Sequence, residues 1–172
     1  SVALFFFFFL EELTELSLDL SSRTSVILAK LLLKRRGLAP RLVGRSANEA
    51  RDSIGGTRGA LLIGDPALEI EAHGKLTWDL AEAWKEWTGL PFVFAAWCSR
   101  PGVLTAAHQW LLLDAKERGL LRRDEIADAH AARTGLSSES LRAYLKNAIR
   151  YEFGEKKKKG LTRFFDEAAS AG

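Results

Sequence analysis

The sequence predicts an α/β fold on three observations. In the N-terminal half, short β-rich segments alternate with helical ones, the signature of a parallel or mixed sheet whose strands are joined through helices. Beyond Pro101 the pattern changes to helices alone, which marks a second region of different build. With 47% hydrophobic residues over 172 positions, the chain can bury a sizeable core as one domain or two small lobes.

The first element is the apolar run Val2 to Leu10. Its nine residues are less than half of the ~20 that a membrane-spanning helix needs. It lacks the basic start and small-residue cleavage site of a signal peptide, so a strand buried in a sheet is the reading that fits. Left unpaired, such an uncharged run without Pro would aggregate. The strands expected in order are Val2 to Phe8, Leu16 to Leu20, Arg41 to Gly44, Ala60 to Ile63, Leu76 to Trp78 and Phe92 to Trp97. The last of these has no polar alternation and reads as a central strand buried on both faces. Helices are expected at Ser22 to Arg36, Ala47 to Asp52, Pro66 to Glu71 and Leu80 to Thr88. Gly37 stops the first of them, after three cations that suit the negative end of its dipole. The helical region follows as Gly102 to Arg118, Arg123 to Thr134, Ser138 to Tyr151 and Lys157 to Ala169, with Gly119, Gly135 and Gly154 between them.

Composition narrows the function. The net charge is +3, but 22 acidic residues are interspersed with 25 basic ones, so no basic stripe marks a nucleic-acid face. Cys98 is the one cysteine, which rules out an intrachain disulfide and fits a cytoplasmic location. His73, His108 and His130 are far apart and form no ligand pattern, so no metal site is expected. The chain has no G-x-S-x-G elbow, no phosphate-binding P-loop and no G-x-G-x-x-G, which sets aside the corresponding hydrolase, nucleotide and dinucleotide readings. The Lys156 to Lys159 run reads as a solvated helix start.

Two places carry candidate chemistry. Ser22, Arg23, Thr24 and Ser25 open a helix directly after a strand. The first N–H groups of a helix have no internal partner and the dipole is positive there, so a carboxylate or phosphate is favoured. The plain alternative is that this Ser/Thr cluster is an N-cap. Asp65 follows the strand Ala60 to Ile63 at its C-terminal end, where ligands collect in open α/β sheets; the competing reading is that it caps the helix starting at Pro66. Asp79 reads as a cap, and Trp78, Trp84 and Trp87 as core.

Together these segments resemble the chorismate dehydratase family of the futalosine route to menaquinone. The resemblance rests on motifs in order: Ser22-Arg-Thr-Ser25, then Leu62-Ile-Gly-Asp65, then Asp79-Leu80, then Trp84-Lys-Glu-Trp-Thr-Gly-Leu-Pro-Phe-Val-Phe-Ala95. It continues more loosely through Asn147-Ala-Ile-Arg-Tyr151 and Gly160-Leu-Thr-Arg-Phe-Phe165. It implies a two-lobed, periplasmic-binding-protein-like (type II) fold in which residues 1–97 form an α/β lobe with hinge strands, Phe92 to Trp97 being the returning one. Residues 98–172 would be C-terminal helices packing on the other lobe, and possible homodimer formation is part of the same expectation. The family's N-terminal portion, with its Tyr-Leu-Asn type motif, has no counterpart here, so the chain reads as a fragment. The five residues Phe5 to Phe9 stand where the family has a short polar, Pro-containing connection, and nothing in the sequence explains them.

The activity implied is a cofactor-free, cytoplasmic lyase that converts chorismate into 3-[(1-carboxyvinyl)oxy]benzoate. Ser22, Arg23, Thr24, Ser25 and Asp65 are then the substrate-binding candidates, and no residue is assigned as catalytic base. Two other readings share the fold: the related 1,4-dihydroxy-6-naphthoate synthase and a solute-binding protein without catalysis.

Overall fold

A single mixed sheet organises the first part of the chain in a computed structural model, which describes residues 2–7, 9–71 and 76–171. Its strands are β1 (Val2–Phe6), β2 (Glu15–Asp19), β3 (Arg41–Arg45), β4 (Arg58–Ile63) and β5 (Leu76–Asp79), in the order β3-β2-β4-β1-β5. β2 runs parallel to β3 and β4, with Ser17 opposite Val43 and Ala60. β1 runs antiparallel to β4 and β5, with Leu4 opposite Leu61 and Trp78. Phe8, the expected last residue of the first strand, and His73 lie outside the described residues.

The central place of β1 accounts for much of its composition. A strand with neighbours on both sides and helices on both faces must be apolar at every position. Leu4 and Phe6 point into one cluster with Leu16, Leu18 and Leu61; Ala3 and Phe5 point into the other with Ala60 and Leu62. Phe5 and Phe6 are therefore core residues on opposite faces. Phe7 and Phe9 are exposed, and the structure gives no reason for phenylalanine at position 9.

The Leu4 face is covered by α1 (Arg23–Arg35), α4 (Leu80–Thr88) and α8 (Glu155–Ala171), through Leu28, Leu32, Leu80, Trp84 and Phe164. Each buried leucine contributes about 1.5–3 kcal/mol. The Phe5 face is covered by α2 (Ala47–Asp52) and α3 (Asp65–Glu71), with Ala50, Ala67 and Ile70. α1 stops as expected: Gly37 takes φ +71°, its N–H reaches the Lys34 carbonyl, and the Leu38 N–H reaches that of Leu33, a Schellman closure that a residue bearing a Cβ would strain.

Residues 92–97 do not form the expected strand. No strand lies beside them among the described residues, and only the first half of the run is partly buried. Phe92 packs edge-on against Trp84 at 5.5 Å and Phe164 at 5.0 Å, with Phe94 tilted against Phe92 at 4.7 Å. The missing polar alternation reflects aromatic clustering there, while Trp97 at the far end is 85% exposed.

The chain divides into two compact units, Ser1–Phe94 with Phe153–Gly172, and Ala95–Glu152. This differs from a division at residue 97, because α8 returns to the first unit: Phe164 is buried and Gly160 fits against the Pro91 backbone and the Leu90 side chain. The second unit holds α5 (Ala106–Leu121), α6 (Arg123–Thr134) and α7 (Ser138–Ala143), the last continued by a π-helical turn at Tyr144–Ala148. There Arg142 pairs with Asp128 at 2.5 Å and Lys146 with Asp124 at 2.6 Å. No helix among the described residues is long and apolar enough to cross a membrane.

Candidate functional site

Four helices begin at one edge of the sheet. β2, β3 and β4 are parallel, and β5 shares their direction because both β4 and β5 are antiparallel to β1. Their C-terminal ends therefore coincide, and α1, α2, α3 and α4 each start immediately beyond one of them. This is the edge where open α/β sheets bind ligands.

Three of the four helix starts carry their own acid. At α2, Ser46 and Glu49 form a reciprocal capping box: the carboxylate accepts from the Ser46 N–H at 2.9 Å and from its hydroxyl at 2.7 Å. Those donors hold Glu49 below the ordinary carboxylate range. At α4, Asp79 accepts from the Ala81 and Glu82 N–H groups at 2.7 and 3.0 Å, which bears out its reading as a cap. α3 begins with Asp65 itself; the Gly64 carbonyl accepts from Ala67 and Leu68. Asp65 thus occupies the first helical position instead of preceding a helix at Pro66, and its carboxylate lies near the positive end of the dipole.

α1 is different: its first turn holds no acid. The Ser22 hydroxyl accepts from the Ser25 N–H at 3.3 Å and lies 2.9 Å from the Ser25 hydroxyl. Ser22 and the buried Ser25 therefore serve the cap, as the plain reading of this cluster holds. The N–H groups of Arg23 and Thr24 have no acceptor among the described residues, and their side chains make no hydrogen bond or ion pair there. Arg23 is exposed and Thr24 half-buried. Two backbone donors, a hydroxyl and a guanidinium are thus left open at this end.

Neighbouring strands lie about 4.8 Å apart, so the adjacency of β2 and β4 brings the α1 start and the Gly64–Asp65 turn to the same stretch of edge. Asp19, which the sequence reading did not single out, ends β2 with its carboxylate buried and accepting from the Ser21 N–H at 2.9 Å. It fixes the turn into α1 and places a negative charge next to the open donors.

A polar stripe on β2 was also missed. Glu15, Ser17 and Asp19 alternate with Leu16 and Leu18, so they share the sheet face opposite the leucines. Glu15 receives Arg41 at 2.5 Å and Arg45 at 3.2 Å, Arg45 also donates to Ser17 at 3.0 Å, and Ser17 meets Ser53 at 2.7 Å. The Arg41 guanidinium, followed by that of Arg45, holds the Glu15 carboxyl below its usual range against the opposing effect of burial. An open cleft of about 660 Å³ adjoins this stripe, lined by Thr14, Glu15, Arg41 and Arg58. It lies at the opposite edge, at the N-terminal ends of the strands. No group of three or more His, Cys, Asp or Glu that could hold a metal exists among the described residues.

The fold and this edge define an α/β protein in which one of the four helix starts at the sheet edge has no acid in its first turn. Comparison with known proteins goes further. A family model described as menaquinone biosynthesis matches residues 2–170, and the chain belongs to that family. It is 36% identical to the chorismate dehydratase of Thermus thermophilus over an alignment covering 95% of this chain. The chain covers 66% of that relative's length.

Proposed function

We propose that this chain forms part of a chorismate dehydratase, a carbon–oxygen lyase of menaquinone biosynthesis working in the cytoplasm within a two-lobed, binding-protein-like fold. Family membership and the named relative support the reaction. The observation in the chain itself that carries the reading is the acid-free start of α1, beside helices that each begin with a carboxylate.

The reaction is a 1,2-elimination. Chorismate loses the proton from the ring carbon bearing the enolpyruvyl ether and the hydroxyl from the adjacent carbon; together they leave as water. The ring becomes aromatic as 3-[(1-carboxyvinyl)oxy]benzoate, with no net oxidation or reduction. The substrate is a dianion, so one carboxylate must be held while the ring is oriented. On this reading the Arg23 and Thr24 N–H groups accept that carboxylate, the Thr24 hydroxyl and the Arg23 guanidinium add to it, and Ser22 and Ser25 keep the turn in shape. Asp65, on the neighbouring turn, borders the bound ring.

Calorimetric titration of chorismate into the chain tests this. Arg23→Ala removes a charged hydrogen bond worth about 1.5–3 kcal/mol, which weakens binding roughly ten- to hundredfold. Asp19→Asn keeps an acceptor for the Ser21 N–H while removing a like charge, and tightens binding. Absence of binding by the folded chain, or indifference to both substitutions, rejects the site.

A further inference from the structure

A second group of open donors lies at the other end of the sheet, where β2 and β4 begin. There Glu15 stands in register with Arg41 on one side and Arg58 on the other. Residues opposite one another on adjacent strands project to the same face, so the three side chains form one row. Glu15 is buried and already receives both Arg41 and Arg45. Arg41 directs its Nε and Nη2 to that carboxylate, which leaves Nη1 open on an exposed side chain. Arg58 is exposed, and its guanidinium makes no hydrogen bond or ion pair among the described residues. Its Nη2 lies only 3.9 Å from where a β-carbon on Gly55 would stand, so the cation is folded back over the turn that precedes β4.

That turn adds neutral donors. Gly55 and Arg58 exchange backbone hydrogen bonds at 3.2 and 3.0 Å, closing a tight turn through Gly56, at φ +54°, and Thr57. The N–H groups of Gly56 and Thr57 have no acceptor among the described residues. The Thr14 and Thr57 hydroxyls lie 2.8 Å apart; one hydrogen bridges them and the second is left for a ligand. All these residues line the open cleft of about 660 Å³, a volume within the roughly 300–1,000 Å³ of small-molecule sites. We propose that this cleft binds the phosphate group of a small phosphomonoester, with Arg58 and the free Nη1 of Arg41 on its oxygens and the turn N–H groups beneath them. A carboxylate offers two oxygens and one charge. A phosphate offers three terminal oxygens to this set of donors, and near neutral pH most of a second negative charge, which suits a pair of guanidiniums. The rest of the cleft has room for the organic part of the ester. Glu15 and Asp19 are about 13 Å apart along β2, so this site is separate from the α1 start and independent of which reaction the chain serves.

The test titrates the whole chain with inorganic phosphate, glycerol phosphate and acetate, chloride holding the ionic strength constant. Amide proton–nitrogen correlation spectra locate the binding. The Gly56 and Thr57 resonances should shift saturably with both phosphates, with glycerol phosphate binding at least as tightly as inorganic phosphate, and acetate should bind far more weakly. Arg58→Gln removes a guanidinium that holds nothing in the fold, so the melting curve should not change while both phosphates bind about ten- to hundredfold more weakly. Arg23→Ala, at the α1 start, should leave the midpoint of those shifts where it is. Four results overturn the proposal: no saturable shift at Gly56 and Thr57, a midpoint that Arg58→Gln does not move, acetate binding as tightly as the phosphates, or inorganic phosphate bound while glycerol phosphate is excluded.

Discussion

The Gly160 α-carbon of α8 lies so close to the Pro91 carbonyl oxygen that a β-carbon at position 160 would collide with it. A backbone oxygen cannot rotate aside as a side chain can, so the helix reaches the Trp84–Phe92–Phe164 cluster only because this residue is glycine.

Gly160→Ala is therefore destabilising. Alanine gains about 1 kcal/mol of helix propensity, but overpacking against fixed backbone costs roughly 1–3 kcal/mol. The forced displacement of α8 also loosens the ring contacts of Phe164. Gly119→Ala is the opposite case, since this α5 position has open space around it and ordinary helical backbone, and it stabilises by up to about 1 kcal/mol. Urea unfolding of the two variants should give shifts of opposite sign.

Acid should unfold the chain partly through Glu15. Its carboxyl is held below the ordinary range, first by the hydrogen bond from Arg41 and then by Arg45. A depressed native pKa stabilises the fold at pH values above the unfolded carboxyl's, about 4.3, and that stabilisation is lost as the pH falls toward the native value. Glu15→Gln removes the charge that both arginines face, lowering the melting temperature at neutral pH and flattening its fall between pH 5 and 3 relative to the parent. Equal slopes in the two proteins would assign acid unfolding to other carboxylates, with Glu49 and Asp128, both also lowered, the next to replace.

Within residues 92–97 two substitutions separate clustering from strand burial. Val93 is half-buried and lies in no strand, so Val93→Asp should give a soluble protein with a nearly unchanged melting temperature. Phe92→Ala removes ring contacts to Trp84, Phe94 and Phe164, each worth about 0.5–1.5 kcal/mol, and should lower it by several degrees. If Val93→Asp were insoluble instead, the run would be buried as a strand after all.

These cases show what the sequence could and could not disclose. β1 was legible because a strand buried on both faces leaves an unbroken apolar run. The α1 boundaries were legible because Ser22 and Gly37 are local signals whose partners lie within a few residues. The same apolar-run argument failed at 92–97, since continuity alone does not distinguish a sheet strand from a loop whose rings fold onto a helix. The return of α8 to the first unit depends on Gly160 meeting Pro91, a contact across 69 positions that no local pattern announces. The Glu15–Ser17–Asp19 alternation was visible as a period of two, but its partners Arg41 and Arg45 follow from the β2–β3 register. At the candidate site, the Ser/Thr cluster was visible, whereas its division into cap residues and open donors came only with the hydrogen bonds.

On the proposed function, the chain by itself should bind chorismate and turn none of it over. The α1 start can anchor one carboxylate, but such an anchor holds substrate and transition state alike, and uniform binding does not accelerate the chemical step. Elimination also needs a group placed to take the ring proton. None of the described side chains is assigned that role, and the chain spans 66% of the relative's length. A positioned base typically contributes about 10² to 10⁴ in rate, or roughly 3–5 kcal/mol of barrier, so without one the rate stays near background. Chorismate incubated with the chain at neutral pH should yield no more enolpyruvyl benzoate than a protein-free control, while calorimetry on the same sample records binding. Sustained turnover by the chain alone would overturn this expectation and place the base within these 172 residues. Asp65, at the sheet edge beside the α1 start, would then be the first to replace: Asp65→Asn should abolish the rate while leaving chorismate affinity within about threefold, because a lost base removes transition-state stabilisation alone.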